Sequence, residues 1–116
     1  MDPNGFVATA WNKGRWHPTG ASYGLKIPVE HRDRHFERHW ETVTLRLIGE
    51  RTSRVTQVNV AKKSFWDKTC RELIARELGH WFIENGFGRW PRGMPPRFRI
   101  HPLGCYKFEV RPDHRL

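Results

Sequence analysis

Thr42-Val43-Thr44-Leu45-Arg46-Leu47-Ile48 and Arg54-Val55-Thr56-Gln57-Val58-Asn59-Val60, separated by Gly49-Glu50-Arg51-Thr52-Ser53, form the stretch that decides the fold. Both outer runs alternate in character and are rich in β-branched residues, the pattern of half-buried strands. The segment between them is turn chemistry, so the two runs read as a β-hairpin. In the second run the pattern leaves open which face turns inward.

Upstream, Tyr23-Gly24-Leu25-Lys26-Ile27 also alternates, and Pro28, which cannot donate to a ladder, ends that strand. Glu30 to Trp40 reads as a short helix with Phe36 and Trp40 on one face. Residues 1–22 are rich in Gly, Pro, Asn, Ser and Thr and read as an irregular arm. Downstream, residues 62–69 read as a loop or single turn. Thr69 and Glu72 have capping-box spacing, so a helix is expected from Thr69, with Leu73, Ile74, Leu78, Trp81 and Phe82 at helical intervals and Asn85-Gly86 as its stop. Arg97–Ile100 and Tyr106–Val110 alternate around Pro102-Leu103-Gly104 and read as a closing hairpin. The outline is mainly β, with about five strands and two helices.

A chain of 116 residues is one domain, 1–116. Its hydrophobic fraction of 37% permits only a small core, to which six Trp and seven Phe bring large apolar areas. That aromatic content excludes a disordered tail. The net charge of +9 points to a polyanionic partner. No apolar run approaches the ~20 residues that span a bilayer, so no membrane partner is expected. Met1-Asp2-Pro3-Asn4-Gly5 lacks the basic and apolar regions of a secretory signal. Cys70 and Cys105 are too few for a disulfide scaffold and lack zinc-site spacing, so a reducing compartment is expected, cytoplasmic or nucleoid, or nuclear in a eukaryote.

The chain contains no Gly-rich phosphate loop, no nucleophile elbow and no acidic pair set for acid–base work, so no catalysis and no cofactor are expected. His31, His35 and His39 lie four apart, where a helix would stack them as candidate zinc ligands. With Asp33 or Glu37 they would make a small metal nuclease; a solvated basic helix face is the plainer reading, and no metal site is assigned. Two other segments combine cations, aromatics and small polar residues: Trp11 to Ser22, and Lys62 to Arg71. Lys and Arg neutralise phosphates, while Arg and Asn also present paired donors to base edges. Ordinary solvated loops would share this composition.

The order of these landmarks resembles the plant B3 DNA-binding domain over roughly residues 23–110. Leu25-Lys26-Ile27-Pro28 followed by His31 and Arg34-His35-Phe36, then Ser64-Phe65-Trp66, then Trp81-Phe82-Ile83-Glu84-Asn85-Gly86-Phe87, are the residues that carry it. Thr19-Gly20-Ala21 before the first strand is similar to the arm of the DNA-reading domain of EcoRII-like restriction enzymes. Arg89-Trp90-Pro91-Arg92-Gly93 stands where plant members have an Ala-Gly-Asp turn, and the Trp-rich arm is also unlike theirs; both favour a restriction-type relative.

The resemblance implies a seven-stranded open β-pseudobarrel with two helices, binding double-stranded DNA sequence-specifically through two arms that clasp the major groove. These arms are residues 11–22 and 61–71, and a nuclease domain or subunit is an implied partner. The residues expected at the DNA are Asn12, Lys13, Arg15, Trp16, His17, Thr19 and Ser22 in the first arm, and Lys62, Lys63, Ser64, Trp66, Asp67, Lys68, Thr69 and Arg71 in the second. Two further alternatives stay open: a single-stranded nucleic acid binder stacking bases on Trp11, Trp16 and Trp90, and a protein-interaction module whose charge is incidental.

Overall fold

In the computed structural model, which describes residues 4–13 and 19–113, the deciding hairpin is formed by β3 (Thr42–Ile48) and β4 (Ser53–Asn59). Their register runs without a break from Thr42 opposite Asn59 to Ile48 opposite Ser53. Val43, Leu45 and Leu47 point inward, and so does Val58, which leaves Val55 outside at 66% exposure and settles the face of the second run.

Five more strands complete one seven-stranded sheet: β1 (Phe6–Asn12), β2 (Tyr23–Lys26), β5 (Glu72–Ile74), β6 (Arg97–Gly104) and β7 (Lys107–Pro112). The order across the sheet is β4-β3-β7-β6-β1-β2-β5. All neighbours are antiparallel except β3 and β7. The sheet curls into a nearly closed barrel, leaving one seam between the edge strands β4 and β5. Three helices decorate it: α1 (Val29–His35), the single turn α2 (Lys63–Trp66) and α3 (Arg76–Glu84). The mainly β, seven-stranded architecture is thus present. The helix beyond the expected two is α2, where a loop or single turn was read.

Four local expectations need correction. Residues 6–12 are a strand, not part of an irregular arm. Phe6, Ala8 and Ala10 are buried at alternate positions and belong to the core. The helix expected from Thr69 starts only at Arg76. Asp67, not Thr69, caps the turn there, and Glu72–Ile74 pair with β2, so tertiary pairing overrides the capping-box spacing. Helix α1 stops at His35 because Phe36 turns extended (φ −120°, ψ 144°) to enter the core; it still meets Trp40, with ring centres 6.3 Å apart. In the closing hairpin, Cys105 and Tyr106 occupy the turn with left-handed φ of 50° and 53°, and β6 extends through Gly104.

The core fills the barrel. Trp81, Phe82 and Phe98 pack at one end, with the Phe82 and Phe98 rings stacked 5.0 Å apart. Phe36, Phe65 and Phe108 pack at the other, Phe36 stacked 4.7 Å from Phe108. Helix α3 lies against β4 and β2 and covers the seam.

Candidate nucleic-acid interface

The two basic segments connect β1 to β2 and β4 to β5. Asn12 pairs with Tyr23 at one end of β2, and Glu72 pairs with Lys26 at the other. The connections therefore leave from opposite ends of the short β2–β5 ladder, roughly 10 Å apart at 3.3 Å per residue. Between them the outward positions form two rows. Thr9, Lys26 and Glu72 stand side by side on β1, β2 and β5, as do Trp11, Gly24 and Ile74, with Glu72 and Gly24 covered by their neighbours. Arg97 on β6 extends the first row from opposite Thr9. Only registration between distant strands brings these residues together, so Lys26 and Arg97 are members that sequence reading missed.

The first connection is rooted on α3. The Lys13 N–H donates to the Ser22 carbonyl at 3.1 Å, and His80 Nε2 lies 2.6 Å from the Thr19 carbonyl oxygen, which requires the proton on that nitrogen. Gly20 packs against Gly79 so closely that a Cβ on Gly79 would lie 2.0 Å from the Gly20 carbonyl oxygen. Lys13, Thr19 and Ser22 are exposed, and Asn12 is half-buried. Arg15, Trp16 and His17 lie outside the described residues.

The second connection is a braced loop. Arg32, 5% exposed, donates from Nη1 to the carbonyls of Phe65 (3.0 Å) and Asp67 (2.6 Å), tying the loop to α1. The Asp67 carboxylate accepts the N–H groups of Cys70 (2.7 Å) and Thr69 (2.9 Å), which hold it below the ordinary carboxylate range. The Ser64 carbonyl accepts the Arg71 N–H. The half-buried Trp66 donates its indole N–H to Val60 at 2.8 Å, while Arg38 and Arg32 lie 4.8 and 5.2 Å from its ring centre. Arg71 sits in a left-handed kink (φ 61°) before β5, not in the first turn of a helix. Its guanidinium bonds the carbonyls of Ile27 and Lys68. Trp66, Asp67 and Arg71 therefore build the loop, whereas Lys63, Lys68 and Thr69 are exposed on it. Lys62 is half-buried, and burial lowers its pKa against the opposing pull of the Glu72 carboxylate.

The histidine stripe forms only in part, with the His31 and His35 rings stacked 6.0 Å apart. His31 and His35 stack on Phe6, with ring centres 4.8 and 5.1 Å away, and the helix ends before His39. The chain matches no family model, no curated protein and no solved structure.

Proposed function

We propose that this chain binds double-stranded DNA sequence-specifically and carries no catalysis of its own, serving as the B3-like recognition part of a restriction-type or regulatory system. The observation that carries this reading is the placement of the two basic connections. They bracket a narrow outward strip of β1, β2 and β5, with Lys26 in the strip and Lys13, Lys63 and Lys68 on the flanks. Such an arrangement suits a groove whose two phosphate walls are held by cations while the polar side chains between them face base edges. Trp66 and Arg71 act on the DNA through the shape of the second arm, and direct contact falls to its exposed residues. The +9 charge supplies the long-range attraction.

Selection of bound fragments from a random duplex library, followed by titration at several salt concentrations, tests the reading. A shared motif is expected, with log K falling against log salt with a slope near −5 if about six phosphates are neutralised. A flat salt response, or tighter binding of single strands in competition, overturns it.

A further inference from the structure

Between Glu84 and Glu109 the sequence carries no carboxylate side chain and five cations: Arg89, Arg92, Arg97, Arg99 and Lys107. In a chain where 28% of residues are charged, so one-sided a stretch is unlike its surroundings. It folds into the α3–β6 loop and the outer face of β6. The loop is anchored at its base, where Trp90 packs edge-on to Tyr23 at 6.1 Å and the Tyr23 hydroxyl donates to the Gly88 carbonyl at 2.5 Å. Its tip is a turn closed by the Met94 N–H on the Pro91 carbonyl (2.9 Å), with Gly93 at φ +80° facing open space and Arg92 exposed. Along β6, buried Phe98 and Ile100 alternate with outward Arg97 and Arg99. Arg99 stands directly opposite Arg111 on β7, a like-charge pairing that disfavours the free sheet. Glu109 offsets it in part, 2.7 Å from the Arg111 guanidinium.

We infer that this basic track, from Arg92 at the turn tip to Arg99 and Arg111 on the sheet, is a second, sequence-independent contact for the phosphate backbone of duplex flanking the recognised site. The inference rests on the proposed function, because Arg97 joins the track to the strip between the arms. Charge complementarity favours nucleic acid backbone here, and the protein's 33 Å extent matches about one helical turn of duplex.

The test compares the selected site in hairpin-capped duplexes of about 6 and about 24 base pairs, since the protein's 33 Å extent already spans the about 10 base pairs of one turn and only a shorter duplex leaves the track empty. The wild-type chain should bind the longer duplex about tenfold more tightly, as expected for added phosphate contacts. Arg92→Gln with Arg99→Gln should erase that difference and reduce the salt slope on the longer duplex by about 1.8, at 0.9 per phosphate, with a melting temperature no lower than wild type and unchanged base preference. Arg92→Glu alone, at a tip remote from the core, should weaken the preference for the longer duplex and reduce the slope by about 0.9, and guards against misfolding of the double variant. Tight binding independent of duplex length, or a double variant with wild-type behaviour, overturns this inference alone. Failure to bind either length overturns it together with the reading on which it rests.

Discussion

Arg54 reaches from β4 across the barrel seam to Glu84 on α3, with Nε 2.9 Å from one carboxylate oxygen and Nη2 2.6 Å from the other. Its Nη1 bonds Glu77 on the same helix, and Glu84 also accepts the Thr52 hydroxyl. A forked guanidinium suits this role because its planar donors match a carboxylate in pairs. The clasp joins an edge strand, which has no ladder partner on that side, to the helix that covers it.

This clasp makes stability fall in acid. Arg54, and then Thr52, hold the Glu84 carboxyl down to about 2. In the unfolded chain it titrates near 4.3. A carboxyl depressed on folding stabilises above the unfolded value, and that contribution is lost as pH falls toward 2. Melting temperature should therefore drop between about pH 4.5 and 2. Glu84→Gln should lose about 1 kcal/mol at neutral pH, the upper end for a partly exposed pair, and show a shallower drop in acid. Parallel acid profiles for the two proteins would refute the assignment.

Gly79→Ala should cost about 2 kcal/mol in urea denaturation, because the new methyl group meets a backbone oxygen that cannot move without displacing the first arm. The same variant should weaken duplex binding even at temperatures where it is fully folded. Full stability would mean that the arm backbone at Gly20 shifts freely.

Arg32→Met removes the donor shared by the Phe65 and Asp67 carbonyls and should cost about 2 kcal/mol through the polar groups left unpaired. Amide exchange within residues 62–71 should accelerate ahead of the barrel strands. Arg34→Met, on the exposed side of the same helix, is the control and should leave both readouts near wild type.

Lys63→Ala combined with Lys68→Ala should reduce the salt slope of duplex binding by about 1.8, at about 0.9 per phosphate contact. Arg46→Ala combined with Arg51→Ala removes as much charge from positions away from the arms, and should change the slope far less. Equal changes in fluorescence-anisotropy titrations would indicate diffuse attraction in place of a defined interface.

The β3–β4 hairpin was legible because seven-residue runs of period two leave few alternatives, but the inward face of the second run is decided only by the pairing of Val58 opposite Val43. Strand β1 was not, because Ala8 and Ala10 carry little strand preference and the Gly- and Pro-rich residues around Phe6–Asn12 dominate the local composition. The β5–α3 boundary was misplaced for a related reason. Leu73 satisfies either a helical or a strand pattern, and only its pairing opposite Leu25 decides between them. Among the arm residues, charge identified Lys63 and Lys68, but composition could not separate a lysine on the surface from an arginine consumed by carbonyls. Arg71 is of the second kind, as is Arg32 on α1, and that distinction depends on contacts made by residues more than thirty positions away.

Strand β7 sits third in the sheet although it is seventh in the chain, inserted between β3 and β6 and parallel to β3. During synthesis the β3–β4 hairpin can form early, yet its inner edge stays open until Lys107–Pro112 leave the ribosome. Until then the β1–β2–β5–β6 group also has an unfilled side. β7 is thus the keystone of the barrel, and its pairing with β3, some sixty positions upstream, is a non-local closure of the kind that slows folding. A nascent chain stalled short of Lys107 would hold two unjoined sheet fragments with open edges, the state most exposed to strand-to-strand aggregation.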